Sequence, residues 1–281
     1  MDRDSATQVR LGSVRSADGT TIGYRSHGEG PAVIVVPGAL GVAADFDSFA
    51  RALTGFAVHV VDRRGRGSSG PQGDRYTIDK ECADICAVRD QTGADLLVGH
   101  SFGGLVVLET ATRATDFRAL VVYEPGVSVA GSIRLDWVEQ CTSELERGDG
   151  FGAFLTFIRG INPDATGKVP RWLLRLILPR AMGKQELAQK ISLLPTTIAE
   201  HREAARLNDG YDQYRQISAD VLLLTGRGGS KAVAGQALSA LRGVLPGAAV
   251  HRFPALDHFG LETKPDVVAP VVAAFLQPGP G

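Results

Sequence analysis

Residues Gly99-His100-Ser101-Phe102-Gly103 stand between the apolar run Asp95-Leu96-Leu97-Val98 and the helix-like segment Gly104-Leu105-Val106-Val107-Leu108-Glu109. Gly-x-Ser-x-Gly in that setting is the pattern of a nucleophile elbow, a sharp strand-to-helix turn that lifts a serine hydroxyl above a sheet. A serine is a weak nucleophile. It needs a base, a group that orients the base, and donors for the oxyanion that forms on attack. Among the six histidines, His258 suits the base. It lies in Ala255-Leu256-Asp257-His258-Phe259-Gly260, after the last strand-like run and before the last helical segment. It also follows the serine in chain order, as this arrangement requires. His100 adjoins Ser101, but successive side chains diverge at such a turn, so it is expected to pack or hydrogen-bond under the sheet. His59 falls within a strand, and His27, His201 and His251 lack a suitable position; all four read as structural or surface residues. The oxyanion donors are expected to be main-chain N–H groups, one from Phe102 at a helix N-terminus. The other is expected from Pro37-Gly38-Ala39-Leu40-Gly41, where Gly38 permits a sharp turn and Ala39 is the expected donor.

The elements that must position these groups are legible in the apolar pattern. Alternation in Leu11 to Arg15 and Thr20 to Ser26, split by Ala17-Asp18-Gly19, predicts an N-terminal hairpin. Nearly unbroken apolar runs follow at Ala32–Val36, Phe56–Val61, Asp95–Val98, Ala119–Tyr123, Val221–Thr225 and Ala248–Phe253. Such runs suit strands covered on both faces. Helical segments fall between them at Phe46–Leu53, Ile78–Thr92, Phe102–Thr112, Lys231–Leu245 and Lys264–Leu276. The expected fold is α/β: a mainly parallel, doubly wound sheet with an inserted helical cap. Residues 1–126 and 218–281 form the two parts of the core. Residues 127–217 form the cap, with helical patterns at Leu135–Arg147, Gly150–Ile158, Arg171–Leu178, Lys184–Leu193 and Thr196–Leu207. Within it, Phe151, Phe154, Phe157 and Ile158 recur at helical spacing, as do Trp172, Leu173, Leu176 and Ile177. Such stripes either hold the cap on the core or line an apolar pocket. Leu40, Trp137, Phe154, Trp172 and Phe259 are the candidate substrate contacts.

Composition excludes several classes. The chain has 281 residues, 44% hydrophobic and 22% charged, with a net charge of −1. Near-neutrality argues against a nucleic-acid partner. No stretch is apolar enough to cross a bilayer, and Met1 to Arg10 lacks the apolar region of a secretory signal. Three cysteines argue against a disulfide framework and for a reducing, cytoplasmic compartment. Cys82 and Cys86 stand one helical turn apart without a second ligand pair nearby, so they read as packing residues rather than a metal site. Two glycine-rich stretches are decoys. Gly65-Arg66-Gly67-Ser68-Ser69-Gly70 matches a dinucleotide fingerprint, but no helix starts on it. Thr225-Gly226-Arg227-Gly228-Gly229-Ser230-Lys231 lacks the Gly-Lys-Ser/Thr ending of a phosphate loop. No cofactor is implied, and the expected partner is a small-molecule substrate.

Together these features resemble the α/β-hydrolase superfamily, and the resemblance runs from Thr20 to about Leu276. It rests on Val36-Pro37-Gly38, on Asp62-Arg63-Arg64-Gly65-Arg66-Gly67-Ser68-Ser69, on the elbow at Ser101, on Leu222-Leu223-Leu224-Thr225-Gly226, and on Asp257-His258. Two positions depart from the family pattern. Pro37 replaces the usual histidine, which removes a side chain but keeps the backbone donors. The family's triad aspartate usually follows the glycine that ends the late strand, yet Gly226-Arg227-Gly228-Gly229-Ser230 offers no carboxylate. The resemblance implies an alternative acid at Glu124, in Val122-Tyr123-Glu124-Pro125, and is closest to a subgroup of actinobacterial-type hydrolases with a Tyr-Glu-Pro turn. Asp257 and Asp220 are less suitably placed.

The function expected on these grounds is a cofactor-independent serine hydrolase of a carboxylic ester, thioester or lactone with an apolar portion. Ser101 is the nucleophile, His258 the base, Glu124 the orienting acid, and Ala39 and Phe102 the oxyanion donors. The alternatives are a lyase or cyclase using Ser101 and His258 without an acyl-enzyme, or a non-catalytic ligand receptor. A carboxylate-nucleophile chemistry, as in haloalkane dehalogenases or epoxide hydrolases, is excluded by a serine at the elbow.

Overall fold

Alternate residues of the central strands face opposite helical layers, and both faces are apolar. In the computed structural model, which describes residues 9–161, 166, 169–227 and 233–277, Ile34, Val36, Leu97, Leu120, Val122 and Leu223 belong to one buried cluster. Val33, Val35, Leu96, Val98, Val121 and Leu222 belong to another on the reverse face. This period-two division across continuous apolar runs is the mark of strands covered on both sides.

Eight strands form one sheet: β1 (Arg10–Arg15), β2 (Thr21–His27), β3 (Ala32–Val36), β4 (Ala57–Val61), β5 (Leu96–His100), β6 (Ala119–Tyr123), β7 (Asp220–Thr225) and β8 (Ala249–Arg252). Their order is β1-β2-β4-β3-β5-β6-β7-β8. The hairpin β1–β2 is antiparallel and β2 joins β4 antiparallel; the remaining neighbours are parallel. From β3 the chain runs outward through β4, then returns to β5 on the other side. Strand order therefore reverses between β3 and β5, and at such a switch the loops leaving two adjacent strands diverge to leave a crevice at their carboxyl ends.

Helices α1 (Asp47–Ala52), α2 (Ile78–Thr92) and α3 (Phe102–Ala111) agree with the pattern-based expectation to within a residue or two, as expected where caps rather than periodicity set the ends. Helix α1 is preceded by a 3₁₀ turn at Ala43–Phe46. Between β6 and β7 come α4 (Val138–Glu146), α5 (Gly150–Ile161), α6 (Arg171–Ala181), α7 (Lys184–Ser192) and α8 (Leu194–Arg206). A 3₁₀ segment, Gly210–Gln216, which the sequence pattern did not indicate, leads into β7. Helix α9 (Val233–Val244) and the terminal pair α10 (Gly260–Thr263) and α11 (Pro265–Leu276) complete the chain. Lys231, where a helix was expected to begin, lies outside the described residues.

One strand differs from expectation. The run Ala248–Phe253 suggested a strand covered on both faces, but β8 is the sheet edge and all four of its residues are exposed. With no further strand beside it, its apolar content cannot be fully covered.

The helices between β6 and β7 have a core of their own, built from Trp137, Val138, Cys141, Ala153, Phe154, Phe157, Leu187, Leu194 and Ile198, with Leu40 of the β3 loop packed against it. Trp172, Leu176 and Ile177 depart from the packing reading of their stripe, while Leu176 and Ile177 line a shallow apolar hollow with Arg180 and Ala181. The side chains of Trp172, Leu176 and Ile177 are 65%, 50% and 46% exposed, because α6 buries only Leu174, with Leu173 and Leu178 half-buried. Among the described residues no helix is long and apolar enough to cross a membrane.

Candidate active site

The elbow is built as its glycines demand. Ser101 sits at φ 54°, ψ −121°, strained for a residue with a Cβ. A Cβ at Gly99 would stand 2.6 Å from both Gly103 O and Gly104 Cα, and one at Gly103 would stand 2.1 Å from Val36 O. Only hydrogen fits there, so β5, the turn and α3 close to main-chain contact. The strained backbone is tied on both sides: Ser101 N donates to Tyr123 O at 3.0 Å, and Ser101 O accepts from Gly104 N and Gly126 N, each at 2.9 Å.

His258 and Glu124 meet as the resemblance implied. His258 Nδ1 lies 2.8 Å from Glu124 Oε2. Glu124 Oε1 accepts from Gly226 N at 2.8 Å and from Thr225 Oγ1 at 3.3 Å. The end of β7, which lacks the usual acid, thus supplies donors to the carboxylate that ends β6. The rest of that segment, Gly228 to Ser230, lies outside the described residues. Glu124 holds φ 43°, a second strained non-glycine at the same sheet edge. Burial pushes its carboxyl up, but the hydrogen bond and charge of His258, with the Gly226 amide and Thr225 hydroxyl, outweigh burial and hold it below the ordinary glutamate value. The carboxylate is therefore ionised at neutral pH and, being an acceptor only, calls for the imidazole proton on Nδ1, which directs Nε2 away from it.

Ser101 Oγ makes no hydrogen bond to His258 among the described residues. Catalytic hydrogen bonds between nucleophile and base are commonly long without substrate and tighten only when it is bound. The amides of Ala39 and Phe102 likewise have no hydrogen-bond partner among the described residues. The Ala39 turn lies against the serine, since a Cβ on Gly38 would stand 3.0 Å from Ser101 Cβ.

His100 packs and hydrogen-bonds, as its place beside the elbow suggested, but not where it was expected. It does not lie under the sheet but beside the candidate base, with ring centroids of His100 and His258 4.8 Å apart. The side chain continues the row of Leu96 and Val98, and on that face the loop carrying His258 passes over the strand ends. His100 Nε2 donates to His258 O at 2.7 Å, which requires the proton on that nitrogen. Its Nδ1 lies 3.4 Å from Glu262 Oε1. The loop is pinned at three successive carbonyls: Leu256 O accepts from Arg227 N at 2.7 Å, Asp257 O from Tyr123 Oη at 2.7 Å, and His258 O from His100. Of the other histidines, His59 meets Ser26 Oγ, His27 meets Asp47, and half-buried His201 packs edge-on against Trp137 and Phe157, whereas His251 is exposed on β8.

The expected substrate contacts separate into three groups. Leu40 is half-buried and leads from the β3 loop to the insert core. Phe259 is 52% exposed, with its ring 5.4 Å from that of His258. Trp137 and Phe154 are buried within the insert core, behind Leu40. Trp172 stands apart on the exposed face of α6 and is not gathered with them.

The loop Asp62–Gly70 is a tight turn tied together by Asp62. Asp62 accepts from Ala43 N at 2.7 Å and from Ser68 N at 2.9 Å. Its arginines, which the sequence reading left without a role, are buried: Arg63 and Arg66 contact Glu200 of α8, and Arg63 contacts Glu81 of α2. Three arginines within one short turn, Arg63, Arg64 and Arg66, were the available signal. Cys82 is buried in the α2–α3 layer, where burial pushes its thiol up to about 12, an unreactive packing residue.

A model of the alpha/beta hydrolase family matches residues 33–271. The non-heme chloroperoxidase of Streptomyces lividans is 27% identical over 295 residues, covering 95% of this chain and 100% of that protein. The sn-1-specific diacylglycerol lipase ABHD11 of Xenopus tropicalis is 34% identical over 95 residues, only 32% of this chain and 30% of the lipase. Among solved structures, an alpha/beta hydrolase from Sphaerobacter thermophilus superposes with a TM-score of 0.79 at 26% identity, covering 95% of this chain and 100% of that one.

Proposed function

The chain belongs to the alpha/beta hydrolase family, and from that premise we propose that it is a serine hydrolase of carboxylic esters, thioesters or lactones with an apolar portion. The observation that carries this reading is the Glu124 Oε2–His258 Nδ1 contact at 2.8 Å, with both Glu124 oxygens engaged and the imidazole loop pinned from three strand ends. An anion so placed holds the tautomer that can accept a proton from serine, and stabilises the imidazolium that results.

In this reading Ser101 Oγ attacks the carbonyl carbon as His258 Nε2 takes its proton. The oxyanion of the tetrahedral intermediate is held by the N–H groups of Ala39 and Phe102, with the N-terminus of α3 adding its partial positive charge. Collapse expels the alkoxide or thiolate, which takes the proton from His258; in a lactone it stays tethered to the acyl group. Water then attacks the acyl-enzyme with His258 as base, releasing the acid and restoring Ser101. Residues 127–217 act as a cap over the strand ends. The apolar part of the substrate lies along Leu40 and Phe259, with Trp137 and Phe154 supporting that wall from behind.

The test is covalent labelling by a fluorophosphonate. Modification at Ser101, lost in Ser101→Ala, with turnover of p-nitrophenyl esters, supports the reading. Folded wild-type protein that resists labelling would favour the acid–base alternative without an acyl-enzyme, to which the Pro37 departure lends some support.

A further inference from the structure

Gly38 O belongs to the same peptide group as Ala39 N–H, and two buried guanidinium groups reach that oxygen. Arg63 Nη2 donates to it at 3.3 Å and Arg66 Nη1 at 3.2 Å. Gly41 N closes the turn on it at 3.2 Å. Arg66 Nη1 also donates to Gly41 O at 3.0 Å, and Lys190 Nζ of α7 donates to Leu40 O at 3.0 Å. The carbonyls of Gly38, Leu40 and Gly41 are thus all held by cations. Leu40, between them, is kept at φ 57°, which an apolar side chain adopts only under constraint.

We propose that Arg63 and Arg66, held by Glu200 of the helical insert, are positioning residues that aim and polarise the Ala39 N–H as an oxyanion donor. The inference rests on the serine-hydrolase reading above. A trans peptide carries its C=O and N–H on opposite sides, and no described peptide is cis. Anchoring Gly38 O to the arginines therefore turns Ala39 N–H the other way. Positive charge at the carbonyl oxygen also draws electrons from the amide and strengthens its N–H as a donor. Arg63 bears on the second donor too, because its Cζ lies 4.8 Å from the ring centroid of Phe102.

Stability alone is a poor account of this cluster. Arg63, Arg66, Glu81 and Glu200 are essentially fully buried, and a buried ion pair recovers little more than its desolvation cost. Nor is the cluster fully satisfied: Nε of both arginines and one oxygen of each glutamate have no partner. What it does define is direction. Glu200 contacts both arginines from α8, and Lys190 reaches the turn from α7 while pairing with Asp45 at 2.7 Å. The insert therefore meets the oxyanion turn at two points, and its seating sets the geometry of the donor.

The experiment compares Arg66→Lys, Arg66→Met and Glu200→Gln with Glu203→Gln. Glu203 is on the same helix and caps Ile78 N at 3.0 Å, but has no contact with the turn. Readouts are Tm, kcat and KM on a p-nitrophenyl ester, and Ki for an alkyl trifluoromethyl ketone, whose hemiketal oxyanion needs the same donors. Arg66→Met is expected to lower kcat about 100-fold, within the range seen for loss of an oxyanion donor. KM should change less than about threefold, and inhibitor affinity should fall in proportion to kcat. Arg66→Lys should recover part of both, and Glu200→Gln should lose about tenfold. Glu203→Gln should lower Tm while leaving kcat and Ki within about twofold. If Arg66→Met does not fold, Arg66→Lys and Glu200→Gln decide. Folded variants with wild-type kcat and Ki, or losses that track Tm equally in Glu203→Gln, would overturn the proposal. Failure of wild-type Ser101 to react with fluorophosphonate would instead overturn the serine-hydrolase reading.

Discussion

Replacing Glu124 by glutamine is the most discriminating single change, and its outcome follows from the two hydrogen bonds made by Oε1. Gly226 N and Thr225 Oγ1 both donate there. A glutamine must present its carbonyl oxygen to the Gly226 amide, because the alternative sets N–H against N–H. Its NH₂ then faces His258 Nδ1, which becomes an acceptor, and the imidazole proton moves to Nε2. In that tautomer His258 cannot take the serine proton. The charge effect is independent of the tautomer. Two opposite unit charges about 4 Å apart at an effective dielectric constant of about 20 attract by roughly 4 kcal/mol, and this is withdrawn from the imidazolium of the transition state. That energy is about three orders of magnitude in rate. With the tautomer penalty added, kcat for p-nitrophenyl ester hydrolysis should fall by about 10³–10⁴, the range found when a triad acid becomes its amide. KM should stay within a few-fold, since the carboxylate is buried behind the imidazole. Fluorophosphonate labelling of Ser101 should slow in parallel. Folded Glu124→Gln protein with kcat within tenfold of wild type would refute the reasoning and leave a Ser101–His258 dyad as the better account.

Three further outcomes follow from the same geometry. Glu124 has a folded pKa below its ordinary value, so its contribution to stability is present above the unfolded value, roughly pH 4.3, and is lost as pH falls through the folded value. The Tm gap between wild type and Glu124→Gln, followed by calorimetry, should be widest near neutrality and close below about pH 4; a gap that widens on acidification contradicts the assignment. Ser101→Ala, His258→Ala and the double variant should lose nearly the same activity because the two side chains act as one unit, and multiplicative losses would separate them. Trp137→Ala should cost about 3–5 kcal/mol in denaturant unfolding, since Trp137 is buried in the insert core. Trp172→Ala should stay within about 0.5 kcal/mol, its side chain being mostly exposed, and a large loss there would show that α6 is covered in solution.

The sheet was legible because its information is local. A strand covered on both faces must be apolar at every position, and the runs at Ala32–Val36, Leu96–Val98, Ala119–Tyr123 and Val221–Thr225 carry that requirement openly. The elbow was legible for a similar reason: Gly99 and Gly103 are demanded by main-chain contacts within a few residues of Ser101 or with the adjoining strand β3. His258 could be placed by its loop between the last strand-like run and the last helical segment, together with chain order. Glu124 could be named only through the resemblance, because nothing local distinguishes it from any acid before a proline; what sets it apart is a partner 134 positions away and two donors at the end of β7. The buried arginines were opaque for a further reason. A charged run in a loop ordinarily meets water, and burying Arg63 and Arg66 becomes tolerable only when α8 folds back and sets Glu200 against them. His100 shows the limit of reasoning from a turn: the divergence of neighbouring side chains was anticipated, but not that the His258 loop would cross the very face to which His100 points. Local patterning thus determined the sheet, the elbow and the candidates for nucleophile and base. Which carboxylate meets His258, what holds the Gly38 turn and which apolar side chains remain in water were decided by tertiary packing, because each depends on contacts between segments whose separation along the chain carries no periodic signal.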